Sequence, residues 1–284
     1  MLFKIEIEDI NDIDWEYFWK KQIKEKADAG ARKNWDKAAP KYKKLNEKDN
    51  YSERLFDNLI IDKNDSLLDI GAGEGSVSIP LSKKVKNITA IDSSEKMIEL
   101  FNKRIEDENI TNIKTIKMDM KDITLDNVGN HDIVLASRSI NFIKEMRDLL
   151  YNLNDIANKY VFITLFGPNN WRMEKEFFKY INHEYIENPS YILILNLLKD
   201  MGIYANVLNL DVGPIRTYEN IDQAMVNGKW KLENFTLDEQ NQLREFLKKA
   251  LKKDITTGKL TNPLDKPDWV LLWWKKEENL NLKE

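Results

Sequence analysis

Three glycines at alternate positions, Gly71, Gly73 and Gly75, stand in the segment Leu67-Leu68-Asp69-Ile70-Gly71-Ala72-Gly73-Glu74-Gly75 of a chain that has only ten glycines. The segment follows an apolar strand and precedes a helix, the setting in which a glycine loop can cradle a ligand. Without Cβ atoms the backbone turns sharply and a ligand can lie against it. A tight strand-to-helix turn would need one such residue; three in alternation point to a nucleoside-bearing ligand. The spacing G-x-G-x-G also differs from the G-x-G-x-x-G of dinucleotide folds. Asp69 sits two residues before the first glycine. Asp92 closes the next strand in Thr89-Ala90-Ile91-Asp92-Ser93-Ser94, where it could accept from two ribose hydroxyls or cap the following helix. Asp119, in Met118-Asp119-Met120, could meet an adenine amino group or be an ordinary loop acid.

The elements that must position these groups are readable from periodicity. Residues 66–167 alternate short apolar strands (Ser66–Ile70, Asn87–Ile91, Ile113–Met118, Asp132–Ala136, Tyr160–Phe166) with helical segments near 77–84, 94–107 and 145–158. Each linker suits a crossover helix, and right-handed crossovers give a parallel sheet covered on both faces. The acids then fall at successive strand tips on one sheet edge, the crevice where open α/β folds bind ligands. Upstream, Asp14 starts a helix to about Asp28, and Ser52 is the expected cap of a second helix with Leu55, Phe56, Leu59 and Ile60 on one face. Downstream, helices are expected at 171–181, 191–201, 221–231 and 237–252, the last entered through the capping box Thr236-Leu237-Asp238-Glu239, with strands at 205–212 and 269–274.

These motifs resemble those of class I S-adenosylmethionine-dependent methyltransferases, over about residues 66–167. The resemblance implies an α/β, Rossmann-like, seven-stranded and mostly parallel sheet with helices on both faces. It further implies an N-terminal helical lid (residues 1–63) and a donor-binding core (64–284) with helical insertions near 170–202 and 215–265. By the same resemblance Asp69, Gly71, Ala72 and Gly73 would cradle the methionine portion of S-adenosyl-L-methionine and Asp92 with Ser93 the ribose. Met97, Asp119 and Met120 would adjoin the adenine, and Ser137 would line the other side. The segment Trp35-Asp36-Lys37-Ala38-Ala39-Pro40-Lys41-Tyr42 is similar to a lid whose aromatic, here Tyr42, closes over the donor; Trp35 and Tyr42 could equally be packing residues.

Methyl transfer from a sulfonium needs alignment and exclusion of water, so the sequence names no catalytic residue. Acceptor contacts are expected from Ser137-Arg138-Ser139-Ile140-Asn141-Phe142 and Phe166-Gly167-Pro168-Asn169-Asn170. Arg138 could bind an anionic group on the acceptor or join a surface ion pair, and Asn141 is a further candidate. The first loop lacks the Asn/Asp-Pro-Pro-aromatic pattern of enzymes that methylate amide or adenine nitrogens. Trp273 and Trp274 read as core strand rather than an aromatic platform.

Composition limits the alternatives. There are no cysteines and two histidines, which excludes disulfides, thiolate metal sites and cysteine nucleophiles; no metal is expected. Lys and Arg number 44 against 48 acids, for a net charge of −4, and the mixture gives no reason to expect a DNA partner. The N-terminus lacks a signal-peptide pattern, and the apolar run at 191–198 is too short for a membrane span, so a cytoplasmic protein is expected. The expected function is methyl transfer to a small molecule or a specific protein side chain. An RNA methyltransferase and a non-catalytic S-adenosylmethionine-binding regulator are the alternatives.

Overall fold

The computed structural model describes residues 9, 12–28, 50–210, 212, 215–227, 235–266 and 268–276. Seven strands form the central sheet: β1 (Ser66–Ile70), β2 (Asn87–Asp92), β3 (Ile113–Lys117), β4 (His131–Ala136), β5 (Ala157–Phe166), β6 (Asn206–Leu210) and β10 (Trp269–Lys275). Their order is β3-β2-β1-β4-β5-β10-β6. The first five are parallel, whereas β10 runs antiparallel to both β5 and β6. The chain reverses its lateral direction between β1 and β4, so a crevice opens beyond the carboxyl ends of those two strands.

Alternate residues of each strand enter opposite layers. Leu68, Ile70, Val134, Ala136, Val161 and Ile163 face helix α6 (Met146–Ile156) and, beside it, α1 (Trp15–Asp28) and α8 (Tyr191–Asp200). Leu67, Ile88, Ala90, Ile133, Leu135 and Phe162 pack on the other face with α2 (Tyr51–Phe56), α3 (Ser78–Leu81) and Phe101 of α4 (Glu95–Asp107). Burial of both faces is why these strands read as uninterrupted apolar runs.

The apolar run at 191–198 becomes α8, which buries Ile194, Leu197 and Leu198. Among the described residues no helix is long and apolar enough to cross a membrane. Helix α1 lies along α8 with Trp19 and Ile23 buried, its Trp19 indole N–H donating to the Ile143 carbonyl at 2.6 Å. Helix α2 departs from expectation. It begins at Tyr51, without a side-chain cap, and Ile60 lies beyond its end and is exposed. Tertiary anchoring replaces the Ser52 cap: Tyr51 is wholly buried and its hydroxyl lies 2.7 Å from both Ser137 Oγ and Thr164 Oγ1.

A third hydrophobic cluster stands apart from the sheet. It joins Met173 and Phe177 of α7 (Arg172–Tyr180) to Ala224 and Met225 of α9 (Ile221–Asn227) and to Leu243 and Leu247 of α10 (Leu237–Ala250). A small antiparallel sheet that the sequence patterns did not announce, β7 (Thr217–Tyr218), β9 (Leu260–Thr261) and β8 (Lys252–Lys253), closes it. Helix α5 (Leu125–Val128) completes the described set. Segment α7 leaves the carboxyl end of β5. The excursion from β6 to β10 departs from and returns to the same edge, because β10 is antiparallel. All three contributors to this cap therefore emerge where the glycine loop lies.

Candidate active site

The crevice is lined by Asp69, Gly71, Ala72, Gly73, Glu74, Ser76, Val77, Ser137 and Arg138. Strand β1 supplies Asp69 and the loop after it the next four, and the turn into α3 bends through three left-handed residues with φ of 71° at Gly71, 59° at Gly73 and 82° at Gly75. Their surroundings differ. A Cβ on Gly75 would fall 2.2 Å from the buried Phe101 ring and one on Gly71 2.4 Å from Ser139 Cβ, with Met120 Cε at 3.3 Å. A Cβ on Gly73 would meet none of the described residues within 4 Å. Gly71 and Gly75 thus let protein approach the loop, and Gly73 presents bare backbone to the crevice.

The loop is held from both sides. Gly71 and Ala72 donate their N–H groups to the Ile91 carbonyl at 2.8 and 2.9 Å, and Gly73 donates to Asp92 Oδ2 at 2.9 Å. Asp92 Oδ1 accepts from Ser94 N at 2.8 Å. The cap of α4 is Ser94, whose Oγ accepts from Met97 N at 3.2 Å. Asp92 is therefore tied to the glycine loop and does not serve as the cap of α4. Glu74 forms an ion pair with Arg104 of α4, whose Nη1 also donates to the Glu74 carbonyl at 3.1 Å. That pairing neutralises Glu74 within the loop.

Asp69 is 1% exposed, and its Oδ2 accepts from Ser78 Oγ at 2.6 Å. Burial pushes its carboxyl up to about 7, Asp92 adding repulsion and the Ser78 hydrogen bond opposing both. An acid so placed gains from a cationic ligand, because an ammonium restores the ionised form.

Opposite the loop, β4 leads into Ser137 and Arg138. Arg138 has a left-handed φ of 57°, uncommon for a residue with a long side chain. Its N–H donates to Thr164 Oγ1 at 2.8 Å, and its guanidinium carbon lies 3.9 Å above the Tyr51 ring centroid and 5.6 Å from that of Trp269. Beyond it runs a chain of rings: Phe166 to Trp269 at 4.7 Å, Phe166 to Trp171 at 5.5 Å and Phe142 to Phe166 at 6.1 Å. Asn141 is buried, its Oδ1 accepting from Phe166 N at 2.9 Å while its Nδ2 has no partner among the described residues.

The structure thus gathers Asp69, Gly71, Ala72, Gly73, Ser137 and Arg138 on one crevice, with Asp92 bonded to its loop. Met120 leans over Gly71. Asp119 lies further out, its Oδ1 accepting from Lys121 N at 3.1 Å within the 3₁₀ turn Met120–Asp122. Ser93 is exposed, and Met97 is buried at 2%. Trp35 and Tyr42 lie outside the described residues. Tyr51, Thr164 and the Glu74–Arg104 pair were not expected from sequence. Thr164 carried a faint signal as the one polar residue in Val161-Phe162-Ile163-Thr164-Leu165.

A doubly wound sheet with a glycine loop at its switch point and an acid at the tip of β2 has the geometry of the ligand crevice of open α/β folds. A family model described as "Methyltransferase domain" matches residues 67–159, which contain the loop, Asp92, Asp119 and the crevice wall at Ser137 and Arg138. The chain therefore contains a stretch similar to a methyltransferase domain, set on a Rossmann-like sheet.

Among curated proteins, an uncharacterized protein of Haemophilus influenzae is 26% identical over 246 residues, covering 84% of this chain and 88% of that protein. The "Probable ribosomal RNA small subunit methyltransferase A" of Methanosphaera stadtmanae is 35% identical over 71 residues, which cover 25% of this chain and 26% of that one. Among solved structures, YcgJ of Bacillus subtilis superposes with a TM-score of 0.52 at 10% identity, covering 79% of this chain and 97% of that chain. A candidate methyltransferase from Bacillus halodurans does so with a TM-score of 0.52 at 15% identity, over 79% and 98%. These structures share the fold.

Proposed function

We propose that the chain binds S-adenosylmethionine in the crevice beyond β1 and β4 and transfers its methyl group to a small organic acceptor. The observation that carries this reading is Gly73, whose left-handed backbone is open to the crevice among the described residues while its N–H is held by Asp92. The residues fit the donor: a Cβ-free cradle suits an extended ligand, and buried Asp69 suits an ammonium. When bound, the donor supplies a methyl group activated by a sulfonium. Gly71, Ala72 and Gly73 would take its amino-acid end, Asp92 and Ser93 its ribose, and Met97, Asp119 and Met120 its base. The protein's remaining task is to align an acceptor and exclude water.

The rim formed by Phe142, Phe166, Trp171 and Trp269, under the cap built on Phe177 and Leu243, supports an enclosed acceptor of modest size. Asn141 and Arg138 are the polar groups of that rim. An RNA acceptor has one point in its favour, the ribosomal RNA methyltransferase relative. That likeness spans 71 residues, fewer than the methyltransferase domain alone. The net charge of −4 and the Ser137–Phe142 loop, without an Asn/Asp-Pro-Pro-aromatic run, weigh towards the small molecule.

Titration calorimetry with S-adenosylmethionine tests the donor. The intact protein is expected to bind it, and Asp92→Ala to bind about 100-fold more weakly through loss of charge-assisted hydrogen bonds. Failure of the intact protein to bind would remove the reading. Incubation of cell extract with methyl-labelled donor tests the acceptor: label in the low-mass fraction supports the proposal, and label confined to RNA replaces it with the RNA reading.

A further inference from the structure

Asn141 stands five residues beyond β4 and is 3% exposed. Its Oδ1 accepts from Phe166 N at 2.9 Å, which ties the loop after β4 to the end of β5. That bond also fixes the amide's orientation, because only the oxygen can accept from an N–H. Nδ2 is left buried, with no hydrogen-bond partner among the described residues. A buried donor that bonds nothing is destabilising, and an aspartate could hold Phe166 N without leaving one. The surroundings are aromatic. Phe142 follows Asn141 directly and lies 6.1 Å from the Phe166 ring, which in turn meets Trp171 at 5.5 Å and Trp269 at 4.7 Å.

We infer that Asn141 donates from Nδ2 to an oxygen of the methyl acceptor, a flat apolar molecule that carries this oxygen apart from the atom to be methylated. The inference rests on the methyl-transfer reading above and names the class of its substrate. The rings of the rim suit a planar frame, which they meet by offset or edge-to-face contacts. A neutral amide brings no charge, so the oxygen it suits is that of a carbonyl or hydroxyl; a carboxylate calls for a cation. The anchored oxygen differs from the methylated atom, because a hydrogen bond donated into the nucleophile's lone pair opposes its attack. Phe142 is 46% exposed, and the turning of so exposed a ring opens the way to Nδ2. Held at its oxygen by Asn141, the acceptor has its nucleophile aligned, which in-line transfer requires.

The test incubates the full chain with methyl-labelled donor and cell extract, then purifies the low-mass labelled product and identifies it by mass spectrometry and NMR. The product is expected to be aromatic and to keep a carbonyl or hydroxyl oxygen apart from the methylated atom; a product without one would overturn the inference. The unmethylated compound is next assayed with Asn141→Asp, which keeps an oxygen for Phe166 N and loses the donor. Its kcat/KM is expected to fall about 10- to 100-fold, with affinity for S-adenosylhomocysteine changed by no more than about twofold. Should Asn141→Asp not fold, an analogue with a methylene in place of the anchored oxygen is assayed on the intact enzyme, with the same loss expected. Unchanged kcat/KM would overturn the inference. An equal loss of S-adenosylhomocysteine affinity would overturn it too, making Asn141 a support of the loop rather than a contact. Absence of any labelled low-mass product would remove the small-acceptor reading itself, and this inference with it.

Discussion

The glycine-loop half of the molecule and the cap above it solve different problems. In the donor half, β1, β2 and β4 run continuously through two buried layers, and the functional groups sit at strand ends where backbone geometry fixes them. A few positions shape the loop, each for a separate reason: Gly75 gives room to Phe101, Gly71 gives room to Ser139, and Gly73 leaves backbone open on the crevice. The cap draws its core from three stretches spaced along the last hundred or so residues, through Met173, Phe177, Met225, Leu243 and Leu247. It is anchored to the sheet by polar contacts at Asp268, which accepts from Asn169 N at 3.0 Å and, through its carbonyl, from Gly167 N at 3.2 Å. A crevice set at strand ends beneath a separately packed cover is an arrangement in which the cover can change while the crevice stays fixed.

That contrast can be broken or sharpened by experiment. The largest effect is expected at Phe177, which is wholly buried in the cap. Phe177→Ala should cost about 3–5 kcal/mol of cap stability, read as faster hydrogen exchange in α7, α9 and α10, with donor affinity nearly unchanged. A collapse of donor affinity would show that the two halves are one cooperative unit. Gly75→Ala should follow, at about 2–4 kcal/mol, because the new methyl meets the Phe101 ring and the φ of 82° disfavours a side chain. Chemical denaturation would measure it, and a loss below about 1 kcal/mol would mean that Phe101 moves aside freely.

Asp69 supplies a pH test confined to the donor half. Because its folded carboxyl is raised by burial to about 7, the empty native state holds a proton that the unfolded chain has lost between about pH 4 and 7. Stability contributed by this residue therefore declines as pH rises through that window and is level above it. Asp69→Asn should flatten the decline and raise the stability of the empty protein at pH 8 by about 2 kcal/mol, while weakening donor binding. Thermal melts across the window would decide; an unchanged slope would place the titration elsewhere. The smallest effect on folding is expected at Gly73. Gly73→Ala meets open space and should cost about 1 kcal/mol from its φ alone. Its donor affinity should nonetheless fall by more than that of Gly75→Ala once each is compared at a temperature where both are folded.

The donor half was legible because its signals are local. Strand β1 was read at its observed bounds, and β2, β4 and β10 within a residue or so, since apolar runs with both faces buried leave a strong mark. The capping box at Thr236 and Glu239 appears as read, with the two side chains each accepting from the other's backbone N–H. Helix α2 was misplaced because its start is set by Tyr51 plugging between β4 and β5, a contact to Ser137 and Thr164 that spans 86 and 113 residues. The small β7-β9-β8 sheet escaped notice because two-residue strands carry no periodicity.

By itself, then, the sequence determined the α/β class, the loop of Gly71, Gly73 and Gly75, and the order of Asp69, Asp92 and Asp119 along successive strand tips, because turn chemistry and periodicity act over a few residues. Tertiary structure alone decided what those residues face. It set Gly73 towards open space and Gly75 against Phe101, tied Asp92 to the loop, buried Asp69, and strapped Arg138 over Tyr51. Each of those outcomes depends on groups that meet only after the chain has crossed the sheet, and burial and pairing are properties of the meeting, not of either residue.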